Sequence, residues 1–313
     1  MERKTKMRHN VIKYICFLSF VVMSFAGVSH SHAFEVQSSN QEYSVSTLLC
    51  SYTIRGVWHQ PVPDAGKPLL ILVHGATYGK WMWDVPGYSW INHFVADLGY
   101  PVLTIDRLGY GESSHPNGDL LTPRCQVYTL KQVLDQVSNS LGQRPIIWVG
   151  HSMGALFGNM IAGETDLLDG LISIGFLHVQ QTSTGPSLLE CLADDYVSWT
   201  NEERTTAFYY MQGADPEIID YDNQCAEPMP RGAIWSSIKP DLLVLGRINL
   251  PVLLASGQYD ALWEEIDLAA EAGLFTNALV TTFVQENAGH TNLLHQSNVT
   301  LLDEIESWLV TYF

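Results

Sequence analysis

Apolar positions follow two patterns along this chain. Residues 44–50 and 52–59 alternate apolar with polar side chains, which predicts two antiparallel strands. Residues 69–73, 101–105, 146–149, 171–176 and 251–256 are short apolar runs bounded by proline, glycine or charged residues, the pattern of strands buried on both faces. Residues 279–284 read as a last strand. Between these runs the spacing becomes helical, at 89–98, at 129–141 (through Leu130, Val133, Val137 and Leu141), at 153–162, at 264–272 and at 301–313. Residues 34–47 are polar and rich in Ser and Gln, and read as a loose leader or a sheet edge.

From about residue 178 to residue 240 no buried run occurs. That segment is instead aromatic, with Tyr196, Trp199, Phe208, Tyr209, Tyr210, Tyr221 and Trp235 among short polar stretches. Two strands, then repeated strand–helix units with one interruption, predict the α/β class: a doubly wound, mostly parallel sheet carrying an inserted cap. The expected organisation is a core of residues 34–177 and 241–313 with a cap or lid at 178–240.

In such a sheet function gathers where strands end. Gly150-His151-Ser152-Met153-Gly154 stands between the run 146–149 and the helix 153–162. This is G-x-S-x-G in the context of a nucleophile elbow. A serine on so sharp a turn has a strained backbone, and side chains two residues before and after it would collide; Gly150 and Gly154 remove them. Ser152 also opens a helix, where free N–H groups favour a developing anion.

His74-Gly75-Ala76 follows the run 69–73. Its glycine lets the backbone bend over the nucleophile, so the N–H groups of Ala76 and Met153 are the candidate oxyanion hole, and His74 reads as structural. Asp106-Arg107-Leu108-Gly109-Tyr110-Gly111-Glu112-Ser113 reads as a turn pinned by a local Asp106–Arg107 ion pair. Leu177-His178 follows the run 171–176 and offers no carboxylate. Gly257-Gln258-Tyr259-Asp260 follows the run 251–256, which makes Asp260 the candidate acid ahead of Glu264 and Glu265. Gly289-His290 follows the last strand, which makes His290 the candidate base, with His295 as its competitor. Ser152, Asp260 and His290 thus occur in the order nucleophile, acid, base.

On His74-Gly75, Asp106-Arg107-x-Gly-x-Gly-x-Ser113, Gly150-His151-Ser152-Met153-Gly154, Asp260 and Gly289-His290, the chain resembles the α/β-hydrolase family over about residues 68–176 and 241–310. The resemblance implies an α/β-hydrolase fold and a capped, exported serine hydrolase of the esterase or lipase kind. It would work through an acyl-enzyme on Ser152, without metal or organic cofactor. Residues 78–86 resemble the tryptophan-rich segment of some secreted members, which makes Tyr78, Trp81 and Trp83 candidates for substrate binding. Haloalkane dehalogenases and epoxide hydrolases of this fold use an aspartate nucleophile, where this chain has Ser152. Peptidase, thioesterase, lactonase, C–C hydrolase and hydroxynitrile lyase chemistry share the triad and stay open. A non-catalytic binding protein would be expected to have lost one of the three residues.

Charge and cysteine content narrow the setting. The 313 residues carry a net charge of −17, and Arg3, Lys4, Lys6, Arg8 and Lys13 crowd the start, so the remainder is more acidic still. Such a surface repels nucleic acid and anionic membrane. It says little about a small neutral substrate; the resemblance, with the cap aromatics and Tyr78, Trp81 and Trp83, implies a small apolar ester or lactone as the partner. The basic start, an apolar run over 14–28 and Ser31-His32-Ala33 predict a signal peptide over residues 1–33, cut before Phe34. The run is shorter than the ~20 residues of a membrane span, so no stable span is expected after cleavage, and the location is secreted or periplasmic. Cys50, Cys125, Cys191 and Cys225 remain after the cut and allow three pairings. Cys191 and Cys225 share the cap segment, which favours that bridge and leaves Cys50–Cys125.

Overall fold

A computed structural model describes residues 33–47, 50–179, 194–233 and 242–313. The strands are β1 (Glu35–Ser46), β2 (Ser51–Val62), β3 (Leu69–Val73), β4 (Val102–Asp106), β5 (Ile146–His151), β6 (Gly170–Ile174), β7 (Tyr196–Val197), β8 (Met229–Pro230), β9 (Pro251–Gly257) and β10 (Leu279–Gln285). Eight of them make one sheet in the order β1-β2-β4-β3-β5-β6-β9-β10. β1 and β2 are antiparallel, β2 is antiparallel to β4, and every later pair is parallel.

The apolar runs end up where their pattern requires. Leu69, Ile71 and Val73 point into one core with α1 (Pro123–Leu141) and α2 (Met153–Glu164). Leu70 and Leu72 point into a second core on the opposite face. That second core holds Trp90 and Phe94 of the segment before β4, and Leu301, Ile305 and Trp308 of the final helix. Residues 34–47 prove to be sheet edge rather than leader. β1 pairs with β2 along its whole length, and its weak alternation reflects a strand mostly exposed to water.

The cap is built differently. α3 (Asn201–Phe208) starts in a capping box between Thr200 and Glu203, and α4 (Pro216–Cys225) starts at Asp215 with Pro216 in its first turn. β7 and β8 pair as a two-residue antiparallel ribbon. After it come α5 (Leu242–Leu245), α6 (Leu268–Ala272) and α7 (Asn298–Tyr312). Glu264 and Glu265, expected in a helix, lie exposed in the loop before α6.

The expected bridge between Cys50 and Cys125 is absent. Both are free thiols, Cys50 exposed after β1 and Cys125 packed in the first turn of α1, where burial raises its pKa. Cys225 is also a free thiol, and its expected partner Cys191 lies outside the described residues, as do Trp235 and the expected signal segment up to residue 32. Among the described residues no helix is long and apolar enough to cross a membrane, and no three His, Cys, Asp or Glu side chains group as a metal site.

Candidate active site

Ser152 sits between β5 and α2 with φ 53° and ψ −119°, a left-handed conformation rare for a residue with a side chain. The neighbouring glycines explain how the turn closes. A Cβ on Gly150 would lie 2.4 Å from the Gly154 carbonyl oxygen, and one on Gly154 would lie 2.1 Å from that of Val73. The Ser152 N–H donates to the Ile174 carbonyl at the end of β6 (2.7 Å). Met153 is the first residue of α2, so its own N–H has no acceptor within the helix.

The loop after β3 passes directly over Ser152. A Cβ on Gly75 would be 2.9 Å from Ser152 Cβ. Arg107 fixes this loop: its Nε donates to the His74 carbonyl (3.1 Å) and its Nη2 to that of Gly75 (2.8 Å). The Arg107 N–H donates to His74 Nε2 (3.1 Å), while His74 Nδ1–H donates to the Gly75 carbonyl (2.8 Å). Both ring nitrogens are therefore occupied. Burial, and after it the Arg107 charge, hold His74 well below the usual histidine range. The expected Asp106–Arg107 ion pair does not form. Arg107 turns under the loop between the Tyr110 and Phe157 rings, and Asp106 takes Lys80 instead, through its Nζ (2.6 Å) and its N–H (2.7 Å).

On the other side of the serine, His290 Nδ1 donates to Asp260 Oδ2 (2.8 Å), and both residues are buried. Asp260 Oδ1 accepts the Leu262 N–H (3.0 Å). Nε2 is the His290 ring nitrogen turned away from Asp260. The end of β6 touches both partners: Ile174 accepts from Ser152, and a Cβ on Gly175 would meet His290 Cε1 at 3.4 Å. His151, beside the serine, donates from Nε2 to the His290 carbonyl (3.0 Å), and burial together with His290 pushes its pKa down to about 3.

His295 plays another part. Its Nε2 accepts the N–H groups of Gly289 (3.0 Å) and Tyr210 (3.1 Å), and its Nδ1–H donates to the Thr291 carbonyl (2.9 Å). Burial pushes its pKa down to about 4. It is a neutral clamp joining the His290 loop to the cap.

The three aromatic candidates separate. Trp83 is buried in the second core, edge-on to Trp90. Trp81 packs on Tyr78 and Tyr221. Tyr78 is buried beside His151 and Phe208, with its hydroxyl bonded to Thr291 Oγ1 (2.7 Å) and Asp222 Oδ2 (3.1 Å). Of the cap aromatics expected near the serine, Phe208 packs beside His290 with Trp199 against it, whereas Val197, Met229 and Arg204 were not foreseen from the sequence. Phe208 lies 5.4 Å from the His290 ring, Trp199 stacks on Phe208, and Tyr110, Val197 and Met229 cluster against Ala76. Arg204, the lone Lys or Arg between residues 194 and 230, is fully buried on Asp222 (2.7 Å). A solitary cation in an acidic, aromatic segment was the one signal that pointed to it.

Residues 70–303 match the model of the alpha/beta hydrolase family, and the chain belongs to that family. Epoxide hydrolase A of Mycobacterium tuberculosis is 33% identical over 95 residues, which cover 30% of this chain and 26% of that protein. The chain thus matches about a quarter of this relative's length. A thermophilic esterase from Thermogutta terrifontis superposes with a TM-score of 0.67 at 19% identity, over 88% of this chain and 99% of that one. Est1E from Butyrivibrio proteoclasticus, solved with ferulic acid bound, superposes with a TM-score of 0.60 at 15% identity, over 86% and 98%. A hydrolase from Pseudomonas aeruginosa PA01 gives 0.62 at 20% identity, over 87% and 98%. These likenesses concern the fold.

Proposed function

We propose that the protein is an exported serine hydrolase that cleaves a neutral, apolar carboxylic ester or lactone through an acyl-enzyme on Ser152. The observation that carries this is a strained serine (φ 53°) at the mouth of a helix, with a buried His290–Asp260 pair (2.8 Å) behind the adjoining strand end. Ser152 Oγ attacks the carbonyl carbon as His290 Nε2 takes its proton. Asp260 holds the Nδ1–H and stabilises the imidazolium. The N–H groups of Ala76 and Met153 receive the oxyanion, each worth about 3 kcal/mol in the transition state. Collapse breaks the ester C–O bond, and the imidazolium returns the proton to the leaving oxygen. Water then repeats the sequence on the acyl-enzyme, giving the acid and free serine.

Serine supports the ester reading over epoxide opening, because that chemistry on this fold uses an aspartate. The apolar wall of Trp199, Phe208, Val197 and Met229 favours an uncharged substrate. Export is supported by the basic start, the apolar run over 14–28 and Ser31-His32-Ala33.

Hydrolysis of p-nitrophenyl esters from C2 to C12 by the protein starting at Phe34 tests the reading. Ser152→Ala and His290→Ala are expected to lose on the order of 10³-fold or more in kcat, and Asp260→Asn somewhat less. Ester hydrolysis that survives Ser152→Ala would overturn the proposal. A kcat unchanged in Asp260→Asn would remove the acid from it.

A further inference from the structure

The cap meets the active-site loops through one buried polar network. Arg204 Nη2 donates to Asp222 Oδ1 (2.7 Å), and both side chains are fully buried. The other carboxylate oxygen, Oδ2, accepts the hydroxyls of Tyr209 (2.7 Å) and Tyr78 (3.1 Å). Arg204 Nε donates to Asn223 Oδ1 (3.2 Å), and Nη1 donates to Thr77 Oγ1. The guanidinium also lies over the Tyr78 and Phe208 rings, at 4.9 and 5.2 Å.

The partners of this network are informative. Thr77 has φ 65°, a conformation that a β-branched side chain rarely adopts, and it directly follows Ala76. Its hydroxyl is held by Arg204 and its carbonyl by the Glu227 N–H (2.9 Å), so both grips on the strained residue come from the cap segment. Thr291 directly follows His290. Its hydroxyl bonds Tyr78 (2.7 Å) and its N–H donates to the Phe208 carbonyl (3.0 Å). One carboxylate and one guanidinium thereby reach the residue after the oxyanion donor and, through Tyr78, the residue after the base.

We propose that Arg204 and Asp222 act as a single positioning unit, by which the cap holds the oxyanion loop at Ala76 and the His290 loop in catalytic register. This rests on the serine-hydrolase reading above. It makes the cap part of the catalytic geometry. A unit that only glued the cap down would lower stability and weaken substrate binding. A unit that aligns donor and base lowers kcat, because displacement of a reacting group by about 1 Å costs about 10²-fold.

The experiment is a double-mutant cycle on the protein from Phe34, with kcat and KM read on p-nitrophenyl butyrate and the thermal midpoint read alongside. Arg204→Met and Asp222→Asn are each expected to lower kcat by about 100-fold with KM within about twofold. The double variant is expected to be no worse than the poorer single one, since the two act together. Arg204→Lys is expected to recover part of kcat. Tyr78→Phe keeps the ring and removes only the hydroxyl, so it reports even where the charge variants do not fold; its expected loss is about tenfold in kcat. Losses confined to KM or to the thermal midpoint, additive kcat losses, or an unaltered kcat in Tyr78→Phe would overturn the positioning role. Wild-type protein inert towards every ester and towards a fluorophosphonate would overturn the hydrolase reading instead, and this proposal with it.

Discussion

Around Ser152 the turn itself is held mainly by close packing at glycines, with Arg107 fixing the loop above it. Gly154 rests on the Val73 carbonyl, Gly150 on the Gly154 carbonyl, and Gly75 on the Ser152 side chain, each so close that a methyl group would collide. Over the same site the cap adds side chains to its few backbone contacts: Arg204 and Asp222 in their buried network, and Trp199 packed on Phe208, whose ring reaches His290. Backbone contacts leave no room for adjustment, which suits the fixed strained turn at Ser152. Side-chain contacts can be exchanged one at a time without refolding the sheet.

The largest expected effect lies on the rigid side. In Gly154→Ala the new Cβ would sit 2.1 Å from the Val73 carbonyl oxygen and 2.9 Å from that of His74, both in backbone that cannot swing aside. The expected cost is about 3 kcal/mol of stability and about 100-fold or more in kcat. Urea denaturation and p-nitrophenyl ester turnover measure the two. A variant that keeps both would mean that the elbow yields as a side-chain contact does, and the contrast would collapse.

That contrast also explains what could be read from the sequence. Gly150, Ser152 and Gly154 were legible because the turn they make demands small residues at fixed spacing. The meeting of Asp260 with His290 was legible because strand ends leave few places for such a pair, and the structure joins them at 2.8 Å. Arg204 and Asp222 were not, because nothing in a spacing of eighteen residues across two helices and a loop says they meet. Trp83 reads as a binding aromatic from its neighbourhood, but its ring packs inward on Trp90. Periodicity could not decide this in a segment too short to show a face. Arg107 and Asp106 are adjacent in sequence, yet strand alternation sends them to opposite faces, one under the oxyanion loop and one to Lys80.

An intermediate effect is expected at the seam between the two regions, and it depends on pH. His295 Nε2 is an acceptor for two N–H groups, one from the His290 loop and one from the cap. A proton there would set three donors against one another. Its pKa is depressed from 6.5 to about 4 by burial. Above pH 6.5 it is neutral whether folded or unfolded. As pH falls from 6.5 towards 4 the unfolded chain takes up a proton that the folded chain refuses, so stability declines across that window, by about 2 kcal/mol at pH 4.5. His151, depressed further to about 3, adds loss of the same sign on the elbow side. His295→Gln is expected to be less stable at pH 7 and to show a flatter decline in urea midpoint between pH 7 and 4.5. An unchanged slope would assign the acid sensitivity to the elbow.

The smallest expected effect tests how far the adjustable side extends. Tyr259 immediately precedes Asp260, is 45% exposed and stacks on Tyr210 of the cap with centroids 3.9 Å apart. The acid itself does not depend on that stack. The Tyr259 N–H donates to the Ala288 carbonyl (2.8 Å), Asp260 Oδ1 accepts from Leu262, and a Cβ on Gly257 would lie 2.1 Å from the Gly289 carbonyl oxygen. The acid loop and the His290 loop are thus joined by backbone, as the elbow is, and the tyrosine pair only lays the cap against them. Tyr259→Ser is expected to cost about 1 kcal/mol in stability and to leave kcat within about threefold, because the pairing of Asp260 with His290 survives it. A tenfold fall in kcat at constant KM would carry the cap's influence through an exposed ring to Asp260, and the boundary between rigid and adjustable regions would have to be redrawn at the Asp260–His290 pair.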